Sequence, residues 1–468
     1  MNEQVNANAL PVAVIGGGPV GLAAAAHLLE RGFEPVVIEA GSTVGAAVLK
    51  WGHVPMFSPW RYNIDAACRR LLQRHGWEVP DLDSFPTGRE LVGGYMAPLA
   101  ALPEMQARIR IGTQVTGVSR SRVGKVRNVG RSSLPFEVWT RSATGEEDRL
   151  LAQAVVYAAG CWGMPNPAGA SGLPAVGEQA AAGRIRYGMP DVLGRERSRY
   201  AGRRVLVVGS GHSAIGTLLD LASLTDEASG TRVGWVARNP DLTRAWGGGA
   251  ADQLPQRGAL GERVHRLVEA GHIDLYAGFA VEGVLETSGG ALRICAEDGR
   301  SIEADELIVA TGLRPDLAPL REARLDLDPA LECPRALATL IDPNLHSCGT
   351  VRPHGAAELE QPDVGLFIAG MASYGRAPTF LLATGYEQVR SIAAQVAGDV
   401  EAARRVELDL PQTGVCSGPV RPEVAEEACC TPATLQGACC APKPELPATA
   451  ACCGNATKRA DVGVELAG

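Results

Sequence analysis

The sequence lacks an apolar run long enough to cross a lipid bilayer. Residues 1–9 contain no Lys or Arg and no apolar core of the kind that a secretory signal requires. The formal net charge is −8 and no basic stripe stands out, which argues against a nucleic-acid partner. These absences predict a cytoplasmic protein that acts without a membrane or a nucleic acid.

Residues 1–408 also lack any close pair of cysteines. The five cysteines of this part stand alone, at Cys68, Cys161, Cys295, Cys333 and Cys348. The other seven lie near the C terminus, at Cys416, Cys429, Cys430, Cys439, Cys440, Cys452 and Cys453. Clustered thiols in a cytosolic chain indicate soft-ion binding or redox work more often than a disulfide scaffold.

Six of the seven C-terminal cysteines form three adjacent pairs, with Cys416 upstream, in a segment rich in Pro, Ala, Gly and Thr, which is typical of a flexible tail. Adjacent thiolates can give two sulfurs to one soft ion such as arsenite, Hg(II) or Cu(I). Zinc is less favoured, because the usual Cys-x-x-Cys spacing is absent. We therefore predict a disordered tail over 409–468 with metalloid-binding cysteines; cysteines that merely happen to lie in a tail are the alternative.

What the sequence does contain is a nucleotide-binding pattern near its start. An apolar run over 12–15 precedes Gly16, Gly18 and Gly21, and a second apolar run over 35–38 ends in Glu39. The glycines permit a tight turn, close approach of a pyrophosphate and close packing of helix on strand. Glu39 is placed to accept the hydroxyls of an adenosine ribose. The complete strand–turn–helix–strand–acid unit predicts a dinucleotide site.

A second unit of the same kind begins near residue 203. The run over 204–208 leads into Gly209 and Gly211, with Ala214 at the third small position. Its second strand, over 233–237, ends in Arg238, a cation that suits a 2′-phosphate and therefore favours NADPH over NADH. A solvated surface arginine is the alternative.

The two units predict an α/β protein with two Rossmann-like domains. Buried strands ending at Gly160 and at Gly312 carry the chain between them, and a further strand ends at Gly370. We expect helices over 65–75, 89–102 and 379–397, strands over 109–118 and 136–140, and a loop over 51–63. The first domain is placed at 1–200 with 311–408, and the second, inserted, at 201–310.

This order of motifs, with Gly160 and Ala310-Thr311-Gly312 at the crossings, resembles flavoproteins with two dinucleotide-binding domains over roughly residues 10–400. The order is most similar to that of flavin-containing monooxygenases. Residues 51–63 and 370–385 further resemble bacterial flavoproteins encoded with arsenic-resistance systems. The resemblance implies FAD on Gly16, Gly18, Gly21, Glu39 and Gly370, and NADPH on Gly209, Gly211 and Arg238. It also makes Tyr374, Arg376 and Arg61 candidates to line the reactive site, loop packing being the alternative.

Two features depart from that family's pattern. The fingerprint Phe-x-Gly-x-x-x-His is not matched before the second glycine turn, where Tyr187-Gly188 is followed by Val192 at the histidine position. Gly370 is followed by Met371 where such flavoproteins often have an aspartate that holds the ribityl chain.

Three functions remain open on the sequence. The first is an NADPH-dependent monooxygenase that oxidises a small soft nucleophile such as a trivalent arsenical, with the tail as a capture arm. The second is a reductase of disulfides or metal ions that uses the tail pairs, and the third is a metalloid-binding protein. The first is favoured, because the body lacks the Cys-x-x-Cys or Cys-x-x-x-x-Cys that disulfide reductases of this architecture place against the flavin. The oligomeric state is open, a homodimer included.

Overall fold

The strand before Gly16 lies in the centre of a parallel sheet, as the sequence predicts. The computed structural model describes residues 10–247, 255–345, 351–378 and 380–408, except for the side chains of residues 244 and 255–257. Its strands are β1 (Val12–Ile15), β2 (Pro35–Ile38), β3 (Ile109–Arg110), β4 (Thr113–Arg120), β5 (Phe136–Ser142), β6 (Glu147–Ala152), β7 (Ala154–Tyr157), β8 (Ile185–Tyr187), β9 (Arg204–Val208), β10 (Arg232–Ala237), β11 (Asp274–Ala277), β12 (Val281–Glu286), β13 (Leu292–Ala296), β14 (Ser301–Ala304), β15 (Glu306–Val309) and β16 (Leu366–Ile368).

The helices lie between groups of these strands and after the last one. They are α1 (Pro19–Glu30), α2 (Ala46–Lys50), α3 (Trp60–Asn63), α4 (Ala66–Arg74), α5 (Gly88–Leu91), α6 (Ala97–Ala100), α7 (Pro103–Gln106), α8 (Arg197–Tyr200), α9 (His212–Glu227), α10 (Thr243–Trp246), α11 (Pro255–Glu269), α12 (Arg335–Ile341), α13 (Ala356–Leu359), α14 (Leu382–Val396) and α15 (Val400–Arg404). No helix among the described residues is both long and apolar enough to cross a membrane.

The first sheet has the order β16-β7-β1-β2-β3, and all its neighbouring pairs are parallel. Val14 of β1 pairs with Val37 and Val156 in the flanking strands. β1, β2, β7 and β16 are apolar throughout because helices cover the sheet: α1 packs on α4 and α14, and their apolar faces form one core.

The second sheet repeats this plan with the order β11-β10-β9-β15-β8, again with parallel pairs throughout. Helices α9 and α11 pack together on it. The early strand β8 belongs to this sheet although it precedes the domain boundary predicted at residue 200. The α/β architecture with two Rossmann-like sheets is thus confirmed, and the domain limits stay predictions.

Two antiparallel three-stranded sheets accompany the parallel ones, β4-β5-β6 and β12-β13-β14. The first is the meander that the sequence predicts near 109–140. The predicted strand over 109–118 is divided, because Gly112 takes a positive φ of 63° between β3 and β4. β3 therefore joins the parallel sheet and β4 the meander.

Three predicted segments differ in detail. The predicted helix over 89–102 is helical from Gly88 to Ala100 but widens into a π-helical turn at Val92–Met96. The predicted loop over 51–63 contains α3, which begins after Pro59. The predicted helix over 379–397 begins at Leu382 and ends as expected before Gly398, whose φ is +75°.

Candidate nucleotide sites and the cavity between them

The first glycine turn brings three chain segments into close contact. Gly16 has a φ of +109°, and a Cβ built on it would lie 2.6 Å from the carbonyl oxygen of Ala158, at the end of β7. A Cβ on Gly21 would lie only 1.9 Å from the carbonyl oxygen of Gly16. Side chains are therefore excluded at both positions, and α1 packs directly against the turn.

The same turn leaves room on its outer side. A Cβ built on Gly18 meets nothing within 4 Å, and no side chain caps the N terminus of α1. The Glu39 carboxylate accepts hydrogen bonds from the N–H groups of Gly17 (2.6 Å) and Gly41 (2.7 Å). Open backbone, an uncapped helix end and a carboxylate at the strand terminus fit the pyrophosphate and ribose of a dinucleotide.

The second glycine turn has the same construction. Gly209 has a φ of +131°, and its built Cβ would lie 2.2 Å from the carbonyl oxygen of Ala310. Gly211 faces open space, α9 has no side-chain cap, and Ala214 is fully buried. Arg238 is exposed, and its guanidinium donates to the carbonyl oxygen of Ala170 at 2.7 Å. This second turn also fits a dinucleotide.

Two connecting segments run side by side between the sheets. The N–H of Asn166 donates to the carbonyl oxygen of Gly312, and the N–H of Arg314 donates to that of Met164. The Thr311 hydroxyl lies 2.9 Å from the carbonyl oxygen of Asn166 and 3.0 Å from that of Pro167. The Ala-Thr-Gly signature therefore holds the two crossings together.

A buried polar network supports the turn at Gly370, which the sequence predicts to contact FAD. The Gln388 side chain accepts from the Gly370 N–H at 2.7 Å and donates to the Ser373 hydroxyl at 2.9 Å. The same amide donates to His354 Nε2 at 2.8 Å, so the His354 Nδ1–H donates to the carbonyl oxygen of Arg352. Burial lowers the pKa of His354, which keeps the imidazole neutral in this arrangement. Sequence reasoning missed Gln388 and His354, because nothing in the local pattern marks a contact across 18 or 34 residues.

The three residues predicted as catalytic each have a different partner. Tyr374 is buried against the rings of His354 and Phe380, and burial raises its pKa. Arg376 forms an ion pair with Glu332 at 2.8 Å, and Arg61 forms one with Asp83. The described hydrogen bonds, ion pairs and ring contacts join none of the three to another, so their shared role stays a prediction.

The described cysteines are all free and separate. Burial raises the pKa of the Cys161 thiol to about 12, and the pKa of the Cys68 thiol is likewise raised by burial. The Cys161 thiol donates to the carbonyl oxygen of Met371 at 3.5 Å. The predicted metalloid ligands from Cys416 to Cys453 lie outside the described residues.

A cavity of about 580 Å³ lies beside α9, next to the second glycine turn. Its walls come from residues 51–58, from Phe85, from the crossing at Trp162, and from α9 and α11. The ring of His212, the first residue of α9, contacts that of Phe57 with centroids 5.6 Å apart. In the sequence, the aromatic residues of the segment 51–60 were the available signal for this cavity.

Comparison with known families agrees with this geometry. The family profile described as pyridine nucleotide-disulphide oxidoreductase matches residues 10–364, which include both glycine turns and both crossings. The chain belongs to this family. As a member of this oxidoreductase family it uses FAD together with NAD(P)H, and the two glycine turns are the parts of the chain that would hold them.

Solved structures from the family's wider fold also match. A bacillithiol disulfide reductase from Bacillus cereus has a TM-score of 0.61 and 20% identity, covering 83% of this chain and 99% of that one. The FAD-bound cadaverine monooxygenase from Erwinia amylovora has a TM-score of 0.56 and 15% identity, with coverage of 88% and 99%. A mutant flavin monooxygenase from Stenotrophomonas maltophilia has a TM-score of 0.54 and 21% identity, covering 83% of this chain and 98% of that one. At these identities the matches establish the fold, and no curated protein sequence matches the chain.

Proposed function

We propose that this family member is an NADPH-dependent monooxygenase that oxidises a small soft nucleophile. Bound FAD would take a hydride from NADPH and pass the electrons either to oxygen or to a disulfide. The residues of the chain decide between these two outcomes by what they place around the cofactor. The overall reaction consumes one NADPH, one proton and one O2 per oxygen atom inserted, and it releases water.

The state of the cysteines carries this proposal. Disulfide exchange requires a thiolate and a second cysteine within reach. The described cysteines are unpaired, and Cys161, four residues after β7, is buried with its pKa raised to about 12. A thiol of that kind stays protonated at neutral pH. Oxygen, which needs no protein nucleophile, is therefore the favoured acceptor.

NADPH rather than NADH is proposed as the reductant because of the residue after the second strand of each unit. Glu39 occupies this place in the first unit and Arg238 in the second. A carboxylate suits the ribose hydroxyls of FAD, whereas a guanidinium suits a 2′-phosphate. The Arg238 side chain is exposed and donates a hydrogen bond to the carbonyl oxygen of Ala170, so the guanidinium can exchange this contact for a ligand phosphate by rotating its side chain.

A trivalent arsenical is the substrate we would test first. Three adjacent cysteine pairs between Cys429 and Cys453 provide soft thiolate ligands, and covalent attachment to the enzyme raises the local concentration of what these thiolates hold. Monooxygenases among the structural matches show that this fold supports oxygen insertion. The support for arsenic itself comes from the tail sequence.

The test follows oxygen and arsenic together. The FAD-loaded full chain is reduced with NADPH without oxygen, then mixed with oxygen in the presence and absence of methylated arsenite. A monooxygenase should consume one O2 and one NADPH for each molecule of pentavalent arsenical that it forms. Hydrogen peroxide release without product, unchanged by the arsenical, would rule this substrate out. The variant Cys429→Ser with Cys430→Ser should raise KM while kcat stays near that of the wild type.

A reductase is the second candidate, because the bacillithiol disulfide reductase structure matches with the higher TM-score. In that case the electrons would have to leave through the tail pairs, since the described cysteines form no pair. Anaerobic NADPH oxidation driven by a small disulfide, lost when the chain is ended after Asp409, would select this function. If the chain is instead a monooxygenase, the same anaerobic measurement should show no turnover.

A further inference from the structure

The cavity beside α9 has an aromatic and thioether lining. Six aromatic or thioether side chains from four segments of the chain line it, those of Trp51, Met56, Phe57, Phe85, Trp162 and Met189. The rings of Trp51 and Trp162 lie 6.4 Å apart between centroids. A volume of about 580 Å³ is within the range of small-molecule pockets, and such linings bury most of a ligand's surface.

One carboxylate stands among these apolar groups. Asp220 lies on α9, two turns after His212, and lines the cavity. Within the described part of the chain it has no hydrogen bond or ion pair with another side chain. The hydroxyls of Thr217 and Ser223, three residues away on either side, donate instead to the carbonyl oxygens of Ser213 and Leu219. The Asp220 carboxylate is therefore available to a ligand.

The electrostatic surroundings of Asp220 favour binding of a cation beside its carboxylate. Burial raises its pKa to about 6, and the negative charge of Asp191, in the loop after β8, adds to the shift. Arg263 of α11 also lines the cavity and lowers the pKa in part, but its residue is exposed and forms no ion pair with Asp220 among the described contacts. Because little positive charge from the protein balances the ionised Asp220 carboxylate, a positively charged ligand would stabilise it.

We propose that this cavity binds an organic monocation with an apolar body, with the Asp220 carboxylate as its counter-ion. Aromatic faces attract a cation through their quadrupoles, and the attraction strengthens where water is excluded. The unpartnered carboxylate then selects positive ligands over neutral and negative ones of the same shape. This inference goes beyond the proposed function, because it concerns binding and holds whether the electrons pass to oxygen or to a disulfide.

The test is calorimetric titration of the FAD-loaded full chain with benzyltrimethylammonium, a cation that carries no titratable proton. Benzyl alcohol and 3-phenylpropionate serve as the neutral and anionic probes. At pH 7.5 the cation should bind at least tenfold more tightly than either. Asp220→Asn should weaken cation binding about tenfold and leave benzyl alcohol unchanged. Asp226→Asn removes an exposed carboxylate from the same helix and should change neither.

The pH dependence provides a second measurement that needs no variant. With a pKa of about 6, Asp220 is about nine-tenths protonated at pH 5, and the protonated form should bind the cation about as weakly as Asp220→Asn does, so wild-type affinity should fall about fivefold from pH 7.5. Asp220→Asn should lose most of this dependence. The other charged or titratable groups around the site, Asp191, Arg263 and His212, are the same in both proteins, so the comparison isolates the contribution of Asp220.

Three results would overturn the proposal. They are equal affinity of wild type and Asp220→Asn for the cation, binding of 3-phenylpropionate as tight as that of the cation, and competitive displacement of the cation by NADP+. The last would assign the cavity to the nicotinamide. Asp220→Glu, which keeps the charge, should retain cation binding. Failure of the monooxygenase assay leaves all of these binding measurements unaffected.

Discussion

The two dinucleotide units of this chain share a backbone and differ in their side chains. In the first, the Gly16 N–H donates to Ile38 and the Ala158 N–H to Ile15; in the second, the Gly209 N–H donates to Val236 and the Ala310 N–H to Val208. Gly16 and Gly209, the first glycines of the two turns, each have a positive φ and face the carbonyl oxygen of Ala158 and of Ala310, respectively. The main chain thus forms the same glycine turn, with equivalent hydrogen bonds to the neighbouring strands, in both units.

The differences begin at the third small residue and at the end of the second strand. Gly21 approaches the Gly16 carbonyl so closely that no Cβ fits, whereas the Gly209 carbonyl accepts the indole N–H of Trp235 and the helix tolerates Ala214. Glu39 is replaced by Arg238 at the strand end. The shared geometry therefore predicts that both units bind a pyrophosphate, and the side chains predict which dinucleotide each one takes.

The largest effect is expected from filling the open side of each turn. Gly18 and Gly211 both have extended backbone with negative φ, and a Cβ on either meets nothing within 4 Å. Alanine should therefore fold normally at both, but its methyl would occupy the space of the pyrophosphate. Gly18→Ala should weaken FAD binding by at least a hundredfold, and Gly211→Ala should raise the KM for NADPH by at least tenfold.

The readouts are flavin content after purification, FAD titration of the apoprotein, and steady-state rates with added FAD. Each variant is the control for the other, because the two changes are chemically identical. Gly211→Ala should retain full flavin content. If Gly18→Ala bound FAD like the wild type, the first turn would not be the FAD site, and the assignment of the two units would fail.

A smaller effect should come from the Gly370 network, which we find only in the first unit among the described residues. Gln388→Leu leaves the Gly370 N–H and the His354 Nε2 without their partner in a buried site. Such losses cost about 1–3 kcal/mol each. We expect FAD affinity to fall about tenfold and the free energy of unfolding to fall by about 2 kcal/mol.

The matched control for this network is Gln395→Leu on the same helix, because Gln395 is only half-buried and has no described side-chain hydrogen bond. It should leave FAD affinity within twofold of the wild type. A Gln388→Leu protein with lower stability but unchanged FAD affinity would show that the network supports the fold alone and does not position the Gly370 turn.

The nucleotide units were predictable because their information is local. Gly16, Gly18 and Gly21 lie within six residues, and the strand that precedes them is apolar at every position, so pattern and spacing define the turn without tertiary knowledge. The same holds for Gly209 and Gly211. Both sheets were therefore predicted in the right place, whereas β8 was missed because a three-residue strand carries no readable periodicity.

The reactive region was less predictable because it is assembled from distant segments. Arg61 was selected for its place in an aromatic run, but an ion pair with Asp83 holds it in the structure. Asp220 was not selected, because an aspartate in the middle of an amphipathic helix is usually solvated. Only the packing of α9 against residues 51–58 brings it into a cavity, and no property of the sequence around it indicates this.

The smallest effect is expected at the residue that distinguishes the two units most directly. Arg238→Ala removes an exposed guanidinium, whose contact with a 2′-phosphate would be partly screened by solvent and would contribute about 1 kcal/mol. The KM for NADPH should rise about fivefold, while that for NADH should stay within twofold. Arg232→Ala, at the exposed start of the same strand, is the matched control and should change neither value. Equal increases in the KM values for NADPH and NADH would mean that Arg238 supports the loop at Ala170 and does not bind the 2′-phosphate. The difference between Glu39 and Arg238 would then not explain the choice of cofactor.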